Sequence, residues 1–202
     1  MLTFQIMDEH KLHNGYRLSL HPGYTALVGP NGAGKTTLLQ QLAKIAEERK
    51  GISVWKYSNE QDGGHHAKDY YIHNNQAENL CRVLFSSEGE QVVVNLGARL
   101  KNLKAAIQDA KSQGKKLLIL FDAVDSGLSI DRARELRGLL DIIAKDGGDS
   151  VYLVVSANQY ELVCKGVRCL NVRTGKSHRF SSYVKYATFV CGYEKDYPRP
   201  QK

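Results

Sequence analysis

The stretch GPNGAGKT, Gly29 to Thr36, spaces two glycines, a lysine and a threonine in the pattern G-x-x-x-x-G-K-[ST]. Glycines let a short loop wrap so that backbone N–H groups point inward, forming a concave array of donors suited to phosphate oxygens. In such a loop the main chain of Asn31, Gly32, Ala33 and Gly34 cradles the β- and γ-phosphates, and Lys35 neutralises them. Thr36 offers its hydroxyl to Mg²⁺, and Thr37 completes the binding set at the start of the following helix. The apolar run YTALV before the loop and the amphipathic KTTLLQQLAKIAE after it give the strand–loop–helix context that the pattern requires. ATP and Mg²⁺ are the cofactors these residues imply.

A phosphate cradle works with a carboxylate at the end of a neighbouring buried strand, which orients the metal. The segment LLILFDAVDSGLS, Leu117 to Ser129, places Asp122 directly after an apolar run. Ala123 comes next, and a methyl group cannot polarise a water. Asp125, three residues beyond Asp122, can stay on the same side of the turn and is expected to take that catalytic role. Asn158, after the apolar run VYLVVS, is a third candidate: it can orient a water or a phosphate oxygen but carries no proton as a histidine would.

These residues need a scaffold, and the chain is long enough to build one. Its 202 residues are 42% apolar, sufficient for one domain with a real core and without disulfides or metal. The four cysteines lack C-x-x-C spacing and read as reduced core or boundary residues. The first residues have no leader pattern and no run approaches the roughly 18 apolar residues of a membrane span, which gives the expectation of a soluble cytoplasmic protein. The net charge of +7 is not spread evenly: from Lys165 to Lys202 there are nine Lys or Arg against Glu194 and Asp196, whereas the rest of the chain balances. A basic region of this kind favours polyanions such as nucleic acid or an acidic partner, or is a solvated edge.

Apolar patterning predicts strands at LTFQIM, YRLSL, YTALV, ISVWKYS, KLLILF and VYLVVS, separated by helices at 35–47, about 91–112 and over IDRARELRGLLDIIAK. Residues 58–75 read as a loop whose His65, His66 and His73 lack a second ligand set for metal. VRCLNVR and HRFSSYVKY are expected as a short C-terminal strand set, and 192–202 as an extended tail. The aromatic and basic residues from Phe180 onward suit either base stacking and phosphate binding or an alternating strand packed on the core. The alternation of strand and helix indicates an α/β three-layer sandwich with a mainly parallel central sheet, antiparallel N-terminal strands and a small helical subdomain at about 60–112, all in a single domain over 1–202.

GYTALVGPNGAGKTTLL resembles the first nucleotide motif of ABC-type ATPases, and LLILFDAVDSGLS resembles their second motif followed by the D-loop. Between them FSSEGEQ resembles the family's signature, with Ser87 and Gly89 in its two most informative places; a helix cap at the same spot is the alternative reading. The resemblance implies that Ser87 and Gly89 bind the γ-phosphate held by a second subunit, so that ATP drives homodimerisation. It also implies a Q-loop glutamine near the metal, for which Gln76 is the first choice and Gln61 the second, and an adenine-stacking aromatic at Tyr16 or Tyr24. Three departures stand out: about ten extra residues precede Asp122, Ala123 replaces the usual glutamate, and Ser156 and Asn158 stand where a histidine is expected.

The signature style, the early strands and the basic C-terminal region point to the SMC-like and DNA-repair branch, as a stand-alone head without a coiled coil. That branch implies an ATPase acting on DNA or gating a nuclease or other effector. The ATPase subunit of a membrane transporter and a non-hydrolysing ATP-gated clamp are the alternatives. A small nucleotide kinase or GTPase would need an Arg-rich lid or an N/T-K-x-D motif, and neither is visible in the sequence.

Overall fold

The computed structural model describes residues 1–7, 15–62, 73, 78 and 88–196. Two antiparallel strands, β1 (Leu2–Ile6) and β2 (Tyr16–Leu20), form a small sheet of their own. The chain then enters a six-stranded sheet through β3 (Gly23–Val28), which leads through the glycine loop into α1 (Lys35–Glu47). It continues through β4 (Ile52–Ser58), the single turn α2 (Asn59–Asp62), the long α3 (Glu88–Ser112), β5 (Lys116–Asp122), α4 (Ile130–Gly147) and β6 (Val151–Ser156). β7 (Arg168–Asn171), β8 (Ser177–His178) and α5 (Tyr183–Asp196) close the described chain.

Strand order is β4-β5-β6-β3-β7-β8; the first five run parallel, and β8 pairs antiparallel with β7. The strand that carries the glycine loop therefore does not touch the strand that ends in Asp122. β6 lies between them, so whatever follows Ser156 emerges between the loop and the carboxylate.

The near-continuous apolar sequences of β5 and β6 reflect burial on both faces. Leu117, Ile119 and Phe121 point into one core with Leu136, Leu140 and Ile143 of α4, while Leu118 and Leu120 point into a second core with Leu38, Leu39 and Leu42 of α1. Each fully buried side chain of this size contributes about 1.5–3 kcal/mol of transfer free energy. The β1–β2 sheet covers the outside of the second core with Phe4, Ile6, Leu18 and Leu20. Arg99 of α3 pairs with Asp62, whose other oxygen accepts the Ser58 N–H, so α3 is tied to the end of β4.

The C-terminal region differs from its expected strand set. β8 is only two residues long, and the segment after it is the helix α5, which runs to Asp196 rather than giving way to a tail at 192. The reason lies in spacing: Tyr186, Phe189 and Tyr193 recur at i, i+3 and i+7, so one helical face buries all three rings against Phe180 and the core. α3 likewise starts at Glu88 rather than at about 91, which puts Gly89 in its first turn. Gln76, Ser87, His65 and His66 lie outside the described residues, as do 197–202, and the side chain of Gln61 is not described. Among the described residues no helix is long and apolar enough to cross a membrane.

Candidate nucleotide site

The glycine loop turns from β3 to α1 with Gly32 at φ 77° and Gly34 at φ 95°, a left-handed backbone that L side chains resist by about 1–2 kcal/mol per residue. Gly34 is also the residue that caps α1, and it brings no side-chain hydrogen bond to the helix end. No acidic residue sits in the first turn. The amino end of α1 is thus left with open N–H donors and a positive helix dipole, the condition that favours a phosphate.

Lys35 is buried at this point. Its Nζ donates to the carbonyls of Gly29 at 2.6 Å and Pro30 at 3.1 Å. Burial pulls its pKa below the ordinary lysine value, while the charges of Asp125 and Asp122 pull it back up. Gly29 itself stands where a side chain would not fit: a Cβ would lie 3.0 Å from Cβ of Ala33 and 3.1 Å from Cγ1 of Val172.

A cavity of about 310 Å³ opens at the carboxyl ends of β3, β5 and β6. Asn31, Gly32, Gly34, Lys35, Thr36 and Thr37 form one wall, and Asp122, Ala123, Ser156 and Asn158 form the other. Two segments that are far apart in sequence thus meet around one space, as the parallel topology requires. A neighbouring cavity of about 300 Å³ shares Thr36 and Asp122 and runs along α1 towards Lys56 and Asp62.

Asp122 does not depend on a ligand for its orientation. Ser156 Oγ donates to Asp122 Oδ1 at 2.8 Å and accepts the Ala123 N–H at 2.7 Å, so one hydroxyl fixes both the carboxylate and the turn behind it. Ala123 sits at φ 50°, the left-handed region, within that turn. Sequence reasoning placed Ser156 only as a substitute for histidine; its hold on Asp122 depends on β5 and β6 being neighbours.

Asp125 is 1% exposed and lies behind the wall rather than on it. Oδ2 accepts the backbone N–H groups of Asn158 and Gln159 at 2.7 and 2.8 Å, and Oδ1 accepts Asn158 Nδ2 at 3.3 Å. Burial raises its pKa above the ordinary carboxylate value, and the bonds from Asn158 and Gln159 act in the opposite direction. Gln159 returns the contact, with Nε2 donating to the carbonyls of Asp125 and Leu128. The expected water activator is therefore a clamp between two loops, and the residue it aims, Asn158, is the one that reaches the cavity.

Neither tyrosine expected under adenine is on the cavity wall. The Tyr16 hydroxyl donates to the Val172 carbonyl at 2.5 Å, and its ring lies against the turn at Gly175, where a Cβ would come within 2.5 Å of it. Tyr24 donates to the Leu162 carbonyl and carries the Arg137 guanidinium 4.5 Å above its ring. Both rings brace the sheet. Gly89 is placed in α3 by its backbone, and the remaining expected ligands, Ser87 and Gln76, fall outside the described residues.

A family model described as an AAA domain matches residues 19–163, a span that holds the glycine loop, Asp122, Asp125 and Asn158. No curated protein matches the chain. With the loop, the strand-end carboxylate and the intervening polar strand end all inside the matched span and around one cavity, the chain belongs to the AAA domain family of P-loop NTPases.

Proposed function

We propose that the chain binds Mg²⁺-ATP in the cavity at the carboxyl ends of β3, β5 and β6 and hydrolyses it slowly, as a dimer closed around nucleotide in the manner of the SMC-like and DNA-repair ABC-type ATPases, acting on DNA or gating a DNA-acting effector. The observation that carries the reading is the meeting of Lys35 and Thr36 with Asp122, Ser156 and Asn158 around one space. The donor set fits the ligand: the amides at the amino end of α1 and Lys35 would meet the phosphates, and Thr36 and Asp122 would hold Mg²⁺, which would supply charge neutralisation for the departing group. Ser156 keeps Asp122 turned to that task. Asn158, aimed by Asp125, orients the attacking water, and no carboxylate in the turn accepts its proton.

Loss of a general base costs about two to four powers of ten in rate, so turnover is expected to be slow. A second copy would bring its Ser87 and Gly89 to the γ-phosphate, as the signature resemblance implies. Ala123 also favours a second reading, an ATP-gated clamp in which nucleotide closes the dimer and hydrolysis is negligible.

Steady-state Mg²⁺-ATP turnover with and without duplex DNA at low salt tests the proposal, with Asp122→Ala as the control. Slow turnover that DNA accelerates and Asp122→Ala abolishes is the expected result. ATP binding with no turnover above the control leaves the clamp; no ATP binding overturns both readings.

A further inference from the structure

The chain beyond residue 163 lies outside the matched family span, yet it touches the nucleotide site twice. The Tyr186 hydroxyl donates to the Asn158 carbonyl at 2.8 Å. The Tyr193 hydroxyl donates to Asn171 Oδ1 at 2.8 Å, and it sits 3.4 Å from where a Cβ on Gly29 would be. α5 therefore runs along the carboxyl ends of β6, β3 and β7, holding the loop that carries Asn158 at one end and backing the first residue of the glycine loop at the other.

The same segment is rich in basic residues, and its two acidic residues, Glu194 and Asp196, come only at its end. Between Lys165 and Tyr193 the sequence has six Lys or Arg and no Asp or Glu. Lys165, Lys176, Arg179 and Lys185 are exposed, and among the described residues none of them forms an ion pair. β7 and β8 pair with Cys169 opposite His178, Arg168 is the first residue of β7, and Arg179 follows directly after β8. Exposed cations without an ion-pair partner favour a bound polyanion. Tyr183, 63% exposed at the start of α5, meets Tyr160 edge-on at 5.8 Å and leaves much of its ring open to solvent.

We propose that this C-terminal segment is a nucleic-acid-binding face wired to the nucleotide cavity through Tyr186, so that nucleotide binding changes affinity for nucleic acid. The inference rests on the reading of the chain as an ATPase that acts on DNA, and adds where DNA sits and how the two sites communicate. Lys176, Arg179 and Lys185 contact backbone phosphates, and Tyr183 stacks on an exposed base. Tyr186 is a positioning residue: it acts on the nucleotide through the carbonyl of Asn158.

The test uses the full chain, fluorescein-labelled duplex and single-stranded DNA, and fluorescence anisotropy at several salt concentrations, with and without a non-hydrolysable ATP analogue. The double variant Lys176→Glu/Arg179→Glu is expected to bind at least tenfold more weakly, with a salt dependence shallower by about two phosphate contacts. Tyr186→Phe is expected to keep the nucleotide-free affinity of the parent and lose the shift caused by the analogue, a readout that a purely structural role would leave intact. Thermal melting confirms that each variant is folded, and Arg179→Glu alone replaces the double variant if that one is not. A parent that binds DNA while the charge variant matches it overturns this inference alone. A parent that turns over ATP but binds neither DNA, or prefers anionic lipid vesicles, overturns the DNA reading as well.

Discussion

The Asp125 carboxylate receives the backbone N–H of Asn158 at 2.7 Å, and through it the turn after β5 fixes the loop after β6. Asp125→Ala would remove the acceptor for that N–H, the N–H of Gln159 and the Asn158 amide, part-buried donors that water can reach only in part, at a cost of about 1–3 kcal/mol. Asp125→Asn keeps the shape and one acceptor, so its loss of stability is expected to be smaller, with turnover lowered because Asn158 is no longer held. Chemical denaturation and steady-state turnover on both variants check this. Full turnover in a folded Asp125→Asn would remove the coupling between the clamp and the chemistry.

Ser156 invites a separate experiment because it binds Asp122 and the Ala123 N–H with one oxygen. Ser156→Ala leaves Asp122 free to rotate away from the cavity while the glycine loop is untouched. Nucleotide affinity in the presence of Mg²⁺ should fall several-fold, and affinity with excess chelator should stay as in the parent. Titration calorimetry under both conditions separates the two. An equal fall in both would mean that the serine shapes the cavity rather than the cation site.

The glycine loop, Asp122 and the alternation of strands and helices were legible because each is a local pattern: fixed spacing within eight residues, an apolar run ending in a carboxylate, or a change of period. The role of Asp125 was not, since its partners are 33 and 34 residues away and meet it only once β5 and β6 pair. Tyr16 is bound to a carbonyl 156 residues on, beyond any windowed reading. For α5 the signal was present but ambiguous. Tyr183, Tyr186, Phe189 and Tyr193 fit a helical stripe, yet the neighbouring β-branched and aromatic residues also fit a strand, and only packing against Phe180 decides.

Ala123 is at φ 50° and lines the cavity, which makes it the place to ask whether a base is all that is missing. Ala123→Glu puts a carboxylate at the position where the resembled family has one. Turnover is expected to rise by about 10–100-fold, within the range that a positioned general base supplies. Ala123→Gly is the conformational control: it relieves the left-handed strain but has more freedom to lose on folding, for a net gain of about 0.5 kcal/mol and no rise in turnover. A rate for Ala123→Glu that stays at the level of Ala123→Gly would show that the backbone here aims the side chain away from the water.

The His178 imidazole stacks on Phe180 with ring centroids 6.2 Å apart and meets Phe189 at 5.0 Å. Burial lowers its pKa below the ordinary value of 6.5, and Lys176 lowers it further. In the unfolded chain the ring takes up a proton at about 6.5, so as the pH falls past that point the unfolded state binds the proton first and gains relative to the folded one. The stability that the neutral ring provides is complete above about 6.5 and is lost as the pH falls towards the lowered folded value. His178→Phe keeps an aromatic ring in the stack and removes the titration. Melting temperatures from pH 7.5 to 5.5 should fall less steeply for His178→Phe than for the parent, and the two curves should diverge only below about 6.5. Parallel curves would mean that the charged ring is accommodated as well as the neutral one, and that the stack around α5 is open to water.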